Sequence, residues 1–287
     1  MIRLLAGDAQ AGILPDMGAG LTGLSVDGRP VLRPWSGRSA DGPFALAMNL
    51  LLPFSNRIDR GFDFAGQHHD LAPNLPGEPF PIHGDAFQRP WRVVRSSGAA
   101  ATLALDGGAF GPWRYSAEVR FVLTGQSLSA ELALTNRGGA TLPFGLGFHP
   151  WFPRLPGTLL RFDATAVWEE DGRHLRRSDR PEPLPEALSF ARPAALPAGW
   201  INAGFAGWDG RADIIQPAPA QGCRITARDL DTLLVYSPDA AADFFCAEPV
   251  SHPVDAHNLA GMPGLRPLRP GEAMSAALRI EWGRPDD

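Results

Sequence analysis

Apolar and polar residues alternate at every second position through Trp113-Arg114-Tyr115-Ser116-Ala117-Glu118-Val119-Arg120-Phe121, odd positions apolar and even ones polar. Side chains of an extended chain point to two faces in turn, so the pattern predicts a strand with one face buried and one wet. The same alternation recurs in residues 128–135 and 274–282, which are read as further strands of antiparallel sheet. Shorter strands are expected at residues 91–94, 101–105, 141–146, 159–162, 212–215 and 233–237. Asp27-Gly28 stands between two apolar runs at residues 24–32 and tolerates the positive φ that a two-residue hairpin demands. No segment sustains a helical period for long.

The 32 glycines and 29 prolines lie between the apolar runs rather than in one block, which argues for many turns and against disorder. Residues 180–197 are the exception, with prolines at 181, 183, 185, 193 and 197. An interdomain linker is one reading. Strands of similar character continue on both sides, so the expectation is a surface excursion within a single domain over residues 1–287. Many short strands with few helices mean an all-β sandwich or distorted barrel.

The net charge of −5 is scattered, with acids near each arginine group, and leaves no nucleic-acid footprint. Every basic side chain is arginine and none is lysine, which reads as codon bias rather than selection for anion binding. Cys223 and Cys246 fit no metal or redox spacing and are expected to be reduced, structural thiols. The N-terminal residues lack a secretory pattern, and the longest apolar run, residues 44–54, is broken by Asn49 and too short for a bilayer. A soluble cytoplasmic protein with no membrane partner is expected.

Of seven histidines, His174 sits among arginines and reads as solvated. His68-His69-Asp70, and His252 with Asp255 and His257, have metal-ligand chemistry but no diagnostic spacing, so no metal is expected and a loop or rim role is preferred. His83 and His149 instead sit among apolar or small neighbours, as does Glu248 after Phe244-Phe245-Cys246-Ala247. A lone histidine of this kind is usually a core residue. Two of them with a carboxylate that is costly to desolvate suggest an acid/base kit.

Asn56-Arg57-Ile58, Ile82-His83-Gly84, Gly147-Phe148-His149-Pro150-Trp151-Phe152 and Glu248 ahead of Asn258 resemble, in order, the motifs of the aldose 1-epimerases, also called galactose mutarotases. The resemblance extends to residues 265–272, which look like the family's closing turn. It implies a large antiparallel β-supersandwich with a sugar in a cleft on its concave face, needing no cofactor. By the same resemblance Glu248 would be the general base, His149 the general acid and His83 a supporting catalytic contact. Asn56, Arg57 and Trp151 would bind sugar. Asn202, in Trp200-Ile201-Asn202-Ala203-Gly204-Phe205, stands where the family commonly has an aspartate, so Asn202→Asp is expected to lower KM for a simple hexose.

The chemistry fits these residue types. Anomer exchange removes a proton from the C1 hydroxyl and gives one to the ring oxygen, which a carboxylate and an imidazolium on opposite sides of the ring could do. A hexose-6-phosphate 1-epimerase is the alternative if Arg57, Arg60, Arg89 and Arg92 converge on a phosphate. A non-catalytic carbohydrate-binding protein is a second. Glycoside hydrolysis normally wants two cooperating carboxylates, and only Glu248 can be assigned. The choice of sugar would lie in loops at residues 61–79 and 180–200, and a monomer or homodimer is expected.

Overall fold

Trp113, Tyr115, Ala117, Val119 and Phe121, the apolar positions of the alternating segment, are all buried along the strand Trp113–Leu123 in the computed structural model, which describes residues 1–283. This strand lies in an eight-stranded sheet between Ser127–Asn136 and Ala100–Phe110. The sheet continues through Ala273–Trp282 and Cys223–Arg228 to Arg211–Ile215 and Leu159–Arg161, with Arg92–Ser96 at the opposite edge. One face is wet and the other supplies half of the core, as the alternation requires.

The other half comes from an eleven-stranded sheet. Its middle is built from Met48–Leu51, Gly147–Pro153, Phe244–Val250, Thr232–Ser237 and Ile201–Ala206, hydrogen-bonded in that order, and their mutual pairings are antiparallel. Phe148, Phe152, Phe245, Ala247, Leu233, Val235, Ile201, Ala203 and Phe205 point inward to a core cluster that also holds Val119, Phe121, Leu132 and Ile280 of the facing sheet. The intervening residues point to the outer face, where loops cover them. That face carries the chemistry.

Asp27 and Gly28, at φ 49° and 72°, close the expected hairpin between Gly20–Val26 and Arg29–Leu32. The 141–146 expectation becomes Leu142–Phe144, paired with Arg266–Leu268 in a small separate sheet. The helical segments among the described residues are 3₁₀ turns of three residues, and no helix is long and apolar enough to cross a membrane.

The proline-rich segment is more integrated than a surface excursion. Glu182–Pro183 pairs with Ala166–Glu169 at one end of the eleven-stranded sheet, and Ala194 bridges Leu160 in the eight-stranded sheet. Between them Phe190 is 2% exposed, stacked on Phe162 with ring centroids 5.1 Å apart. Its apolar residues let it tie the two sheets together, while its prolines need no ladder donor.

Candidate active site

Strand register sets the centre of the site. Gly147 lies opposite Val250 and Trp151 opposite Cys246, so His149 falls across from Glu248, and both point outward. His149 Nε2 and Glu248 Oε1 are 3.4 Å apart. A second row runs from Trp151 through Cys246 and Tyr236 to Asn202, one residue per strand. Cross-strand neighbours on one face are the closest side-chain pairs a sheet offers, so backbone pairing alone brings imidazole and carboxylate together.

His83 arrives on a turn. The peptide N–H of His83 donates to Asn56 O, and the Asn56 N–H donates to His83 Nδ1, each at 2.9 Å. Ile82 bridges Arg57 and Gly84 bridges Leu52, which fixes the turn against the segment that carries Asn56 and Arg57. His83 and Gly84 both have positive φ, 58° and 66°, and a Cβ on Gly84 would fall 1.9 Å from Leu52 O. Only glycine fits there, which gives the His-Gly pair a structural reason. With Nδ1 accepting, neutral His83 carries its proton on Nε2 and is a hydrogen-bond donor.

These three residues, with Asn56, Arg57, Trp151, Asn202, Phe44, Glu78, Ile82, Trp200 and Tyr236, line one cleft of about 170 Å³. The structure therefore brings together every site residue the sequence suggested. His149 is 5% exposed and Glu248 and His83 3% each, so desolvation dominates their acidities. Burial pushes Glu248 up to about 8 and His149 down to about 3. It also drives His83 well below its ordinary value, helped by the neighbouring His149 and Arg57. Burial thus favours the neutral form of each, a protonated Glu248 and an unprotonated His149. Glu248 Oε2 and His149 Nδ1 are buried with no protein partner, so the cleft has polar capacity left for a ligand.

The aromatic residues hold the pair more than they offer it a stacking surface. Trp151 stacks on His149 at 4.8 Å and 10°, and the Arg33 guanidinium lies 4.2 Å over the indole. Asn49, across from His149, donates to Pro43 O at 3.0 Å and pins the turn that places Phe44 5.9 Å from His149 and 5.7 Å from His83. Arg57 is held by Glu78 through Nε and Nη2 at 2.9 and 2.8 Å. Arg89 is instead paired with Asp85, and Arg92 with Asp106 on the other sheet. Of the four arginines that a phosphate would need, Arg57 alone lines the cleft.

Asn202 is differently engaged than expected. Its Nδ2 donates to Glu170 Oε2 at 2.6 Å, and Trp200 Nε1 donates to the other oxygen of the same carboxylate. The carboxylate at this end of the site is Glu170, on the neighbouring strand end. Asn202→Asp would set two carboxylates face to face, so a KM gain is no longer expected. It should destabilise the fold by roughly 1–3 kcal/mol. Melting curves of the variant and wild type check this, and an unchanged melting temperature would show that the hydrogen bond between the two side chains contributes nothing to the fold.

Glu170, Glu78, Phe44, Tyr236 and Arg33 escaped the sequence reading. Only strand register or loop packing brings Glu78, Phe44 and Tyr236 to the cleft and sets Glu170 and Arg33 against residues that line it, and no local motif marks them. The histidine clusters left aside are structural or exposed. His252 accepts from Ser55 N at 3.0 Å and bonds Pro253 O at 2.8 Å, fixing the segment before Asn56. His257 sits among Phe54, Phe62 and Trp113. His68 lies between Asp63 and Asp70 on an exposed hairpin. Donor atoms of His149, Cys246 and Glu248 lie within 4.8 Å of one another, close enough for one cation. Burial holds the Cys246 thiol well above its ordinary value, though, and a cation there would have to displace that proton.

Comparison with known proteins agrees with this geometry. Residues 2–281 match the sequence profile of the family described as aldose 1-epimerase. YphB of Escherichia coli K12, an uncharacterised protein, is 34% identical over 277 residues, 93% of this chain and 94% of YphB. A crystal structure of an E. coli K12 protein described as a candidate aldose 1-epimerase is similar at a TM-score of 0.92, with 31% identity over 98% of each chain. A galactose mutarotase-like protein from Clostridium acetobutylicum shares the fold at a TM-score of 0.85 and 18% identity, over 99% of this chain and 95% of that one. A profile matched along nearly the whole chain, over a sandwich whose outer face pairs an imidazole with a carboxylate, places this protein in the aldose 1-epimerase family.

Proposed function

We propose that the protein is an isomerase that interconverts the α and β anomers of a free aldose. The observation that carries this is the buried pair of His149 Nε2 and Glu248 Oε1, 3.4 Å apart on the outer face of the sheet. The C1 hydroxyl oxygen and the ring oxygen are bonded to the same carbon, so two groups side by side suit them better than groups on opposite sides of the ring. Transfer of the Glu248 proton to His149 gives the working form, carboxylate and imidazolium. Glu248 then takes the C1 hydroxyl proton while His149 protonates the ring oxygen. The C1–O bond to the ring breaks and leaves an aldehyde. Rotation about C1–C2 presents the other face, and closure returns both protons to where they began. His83 Nε2–H donates to sugar oxygen throughout without itself titrating, and Arg57 hydrogen-bonds hydroxyls.

Polarimetry or exchange NMR on freshly dissolved aldoses tests the proposal, and failure to accelerate any of them would overturn it. The pH profile carries a further mark. Activity needs one proton on the pair, so the rate should fall above about pH 8, where Glu248 loses the last proton, and below about pH 3, where His149 gains a second. An alkaline limb near the ordinary histidine range instead would mean that loss of a proton from His149, not from Glu248, ends activity.

A further inference from the structure

Asn74 stands in the connection between the exposed hairpin and His83, half-buried and outside the set of residues that line the cleft. Its side chain nonetheless meets the main chain on both sides of His83. Oδ1 accepts from the Ile82 N–H at 2.8 Å, and Nδ2 donates to Ile82 O at 2.9 Å and to Gly84 O at 2.7 Å. The Ile82 N–H can only donate, so it fixes which end of the amide is oxygen, and each amide hydrogen then has a carbonyl to meet. Gln88 Nε2 donates to Asn74 O at 3.1 Å and anchors the main chain of Asn74 in turn.

The turn has need of such a hold. His83 has a φ of 58° and Gly84 of 66°. Glycine takes that conformation freely, whereas a residue with a Cβ keeps it only where its surroundings leave no alternative. The pairing of His83 with Asn56 restrains the turn from one side, and the three hydrogen bonds of Asn74 close it from the other. The consequence reaches the imidazole. Its Nδ1 accepts from the Asn56 N–H at 2.9 Å, which leaves the proton on Nε2 in a side chain that lines the cleft. A turn that relaxed towards negative φ would swing the Cβ of His83 and give up both the contact and the tautomer.

The residue type is specified as closely as the position. Among short side chains the asparagine amide supplies one acceptor and two donors, the set that these three main-chain groups require. Aspartate has the same shape, but it would keep the Ile82 N–H and set a charged oxygen against two carbonyl oxygens.

We propose that Asn74 is a positioning residue for His83, acting on the reaction without touching the sugar by holding the Ile82-His83-Gly84 turn in the form that offers Nε2–H to the cleft. Its kinetic consequence rests on the anomer-exchange reading of the cleft, and its consequence for the imidazole does not.

Two readouts on the full-length protein test this. Long-range proton–nitrogen NMR reports the tautomer of His83. Wild type should show the Nε2–H form alone, and Asn74→Asp and Asn74→Ala a mixture of both neutral forms. A double-mutant cycle reports the reaction. Asn74→Asp should lower kcat/KM for the aldose exchanged fastest by roughly tenfold, about the worth of one well-placed hydrogen bond, and mainly through KM because His83 holds sugar oxygen throughout. In a His83→Ala background the same substitution should cost less than about twofold, since the ring through which it acts is gone. Asn74→Ala, which removes the hold without adding a charge, should give the same pattern. A wild-type ring protonated on Nδ1, or an unchanged tautomer in both variants, would overturn the proposal. An equal loss of kcat/KM in the two backgrounds would do the same, because it would mark a general effect on the fold. If no aldose is exchanged at all, the kinetic arm falls with the anomer-exchange reading and the tautomer alone decides the role of Asn74.

Discussion

Glu248→Gln is expected to slow anomer exchange by roughly 10²- to 10⁴-fold, the range typical of losing a positioned acid/base group. The amide keeps the size of the side chain and its place opposite His149, so the cleft should still accept sugar. What it loses is the ability to take the C1 hydroxyl proton and to hold the proton shared with His149. The alkaline limb should vanish with it, because the group that burial pushes up to about 8 is gone. Polarimetry on freshly dissolved α-glucose or α-galactose, with binding followed by titration NMR, separates the two effects. Near-normal turnover in this variant would move the base to another residue.

His149→Asn should cost as much, and the double variant should be hardly slower than either single one. In the proposed cycle the two side chains, 3.4 Å apart, act together on two oxygens of one carbon, so removing either would already break it. Groups that work as a unit give such non-additive losses, whereas independent contributions would multiply. A double variant slower than each single one by a further factor of a hundred would show that acid and base act separately. His83 would then be the next candidate for the acid, although its Nδ1 is occupied by the Asn56 N–H.

The sequence was most legible where one face of a strand is wet. Residues 113–121, 128–135 and 274–282 alternate because they lie in the eight-stranded sheet, whose outer face meets water. Met48–Leu51 and Gly147–Pro153 are buried on both faces, and Phe244–Val250 nearly so, so no alternation marks them as strands. Those same strands hold the site. His149 and Glu248 stood out for a related reason, since polar groups in apolar surroundings are conspicuous where buried strands are not. Their adjacency was not legible, because it depends on which residue of Gly147–Pro153 faces which residue of Phe244–Val250. Glu170 was invisible for the same reason, and so was its hydrogen bond with Asn202.

The two classes of side chain in the cleft have different supports. His149, Glu248 and Tyr236 stand on hydrogen-bonded strands in the middle of a large sheet, whereas Phe44, Glu78, His83 and Trp200 come from the connections between strands. On the proposed reaction, the proton-transferring pair and much of the cleft wall therefore lie in separable parts of the chain. Exchange of the connections around residues 72–80 or 184–200 could redirect the protein to a new sugar without disturbing the spacing on which the reaction depends. The fold can keep a single reaction while its lineage changes diet.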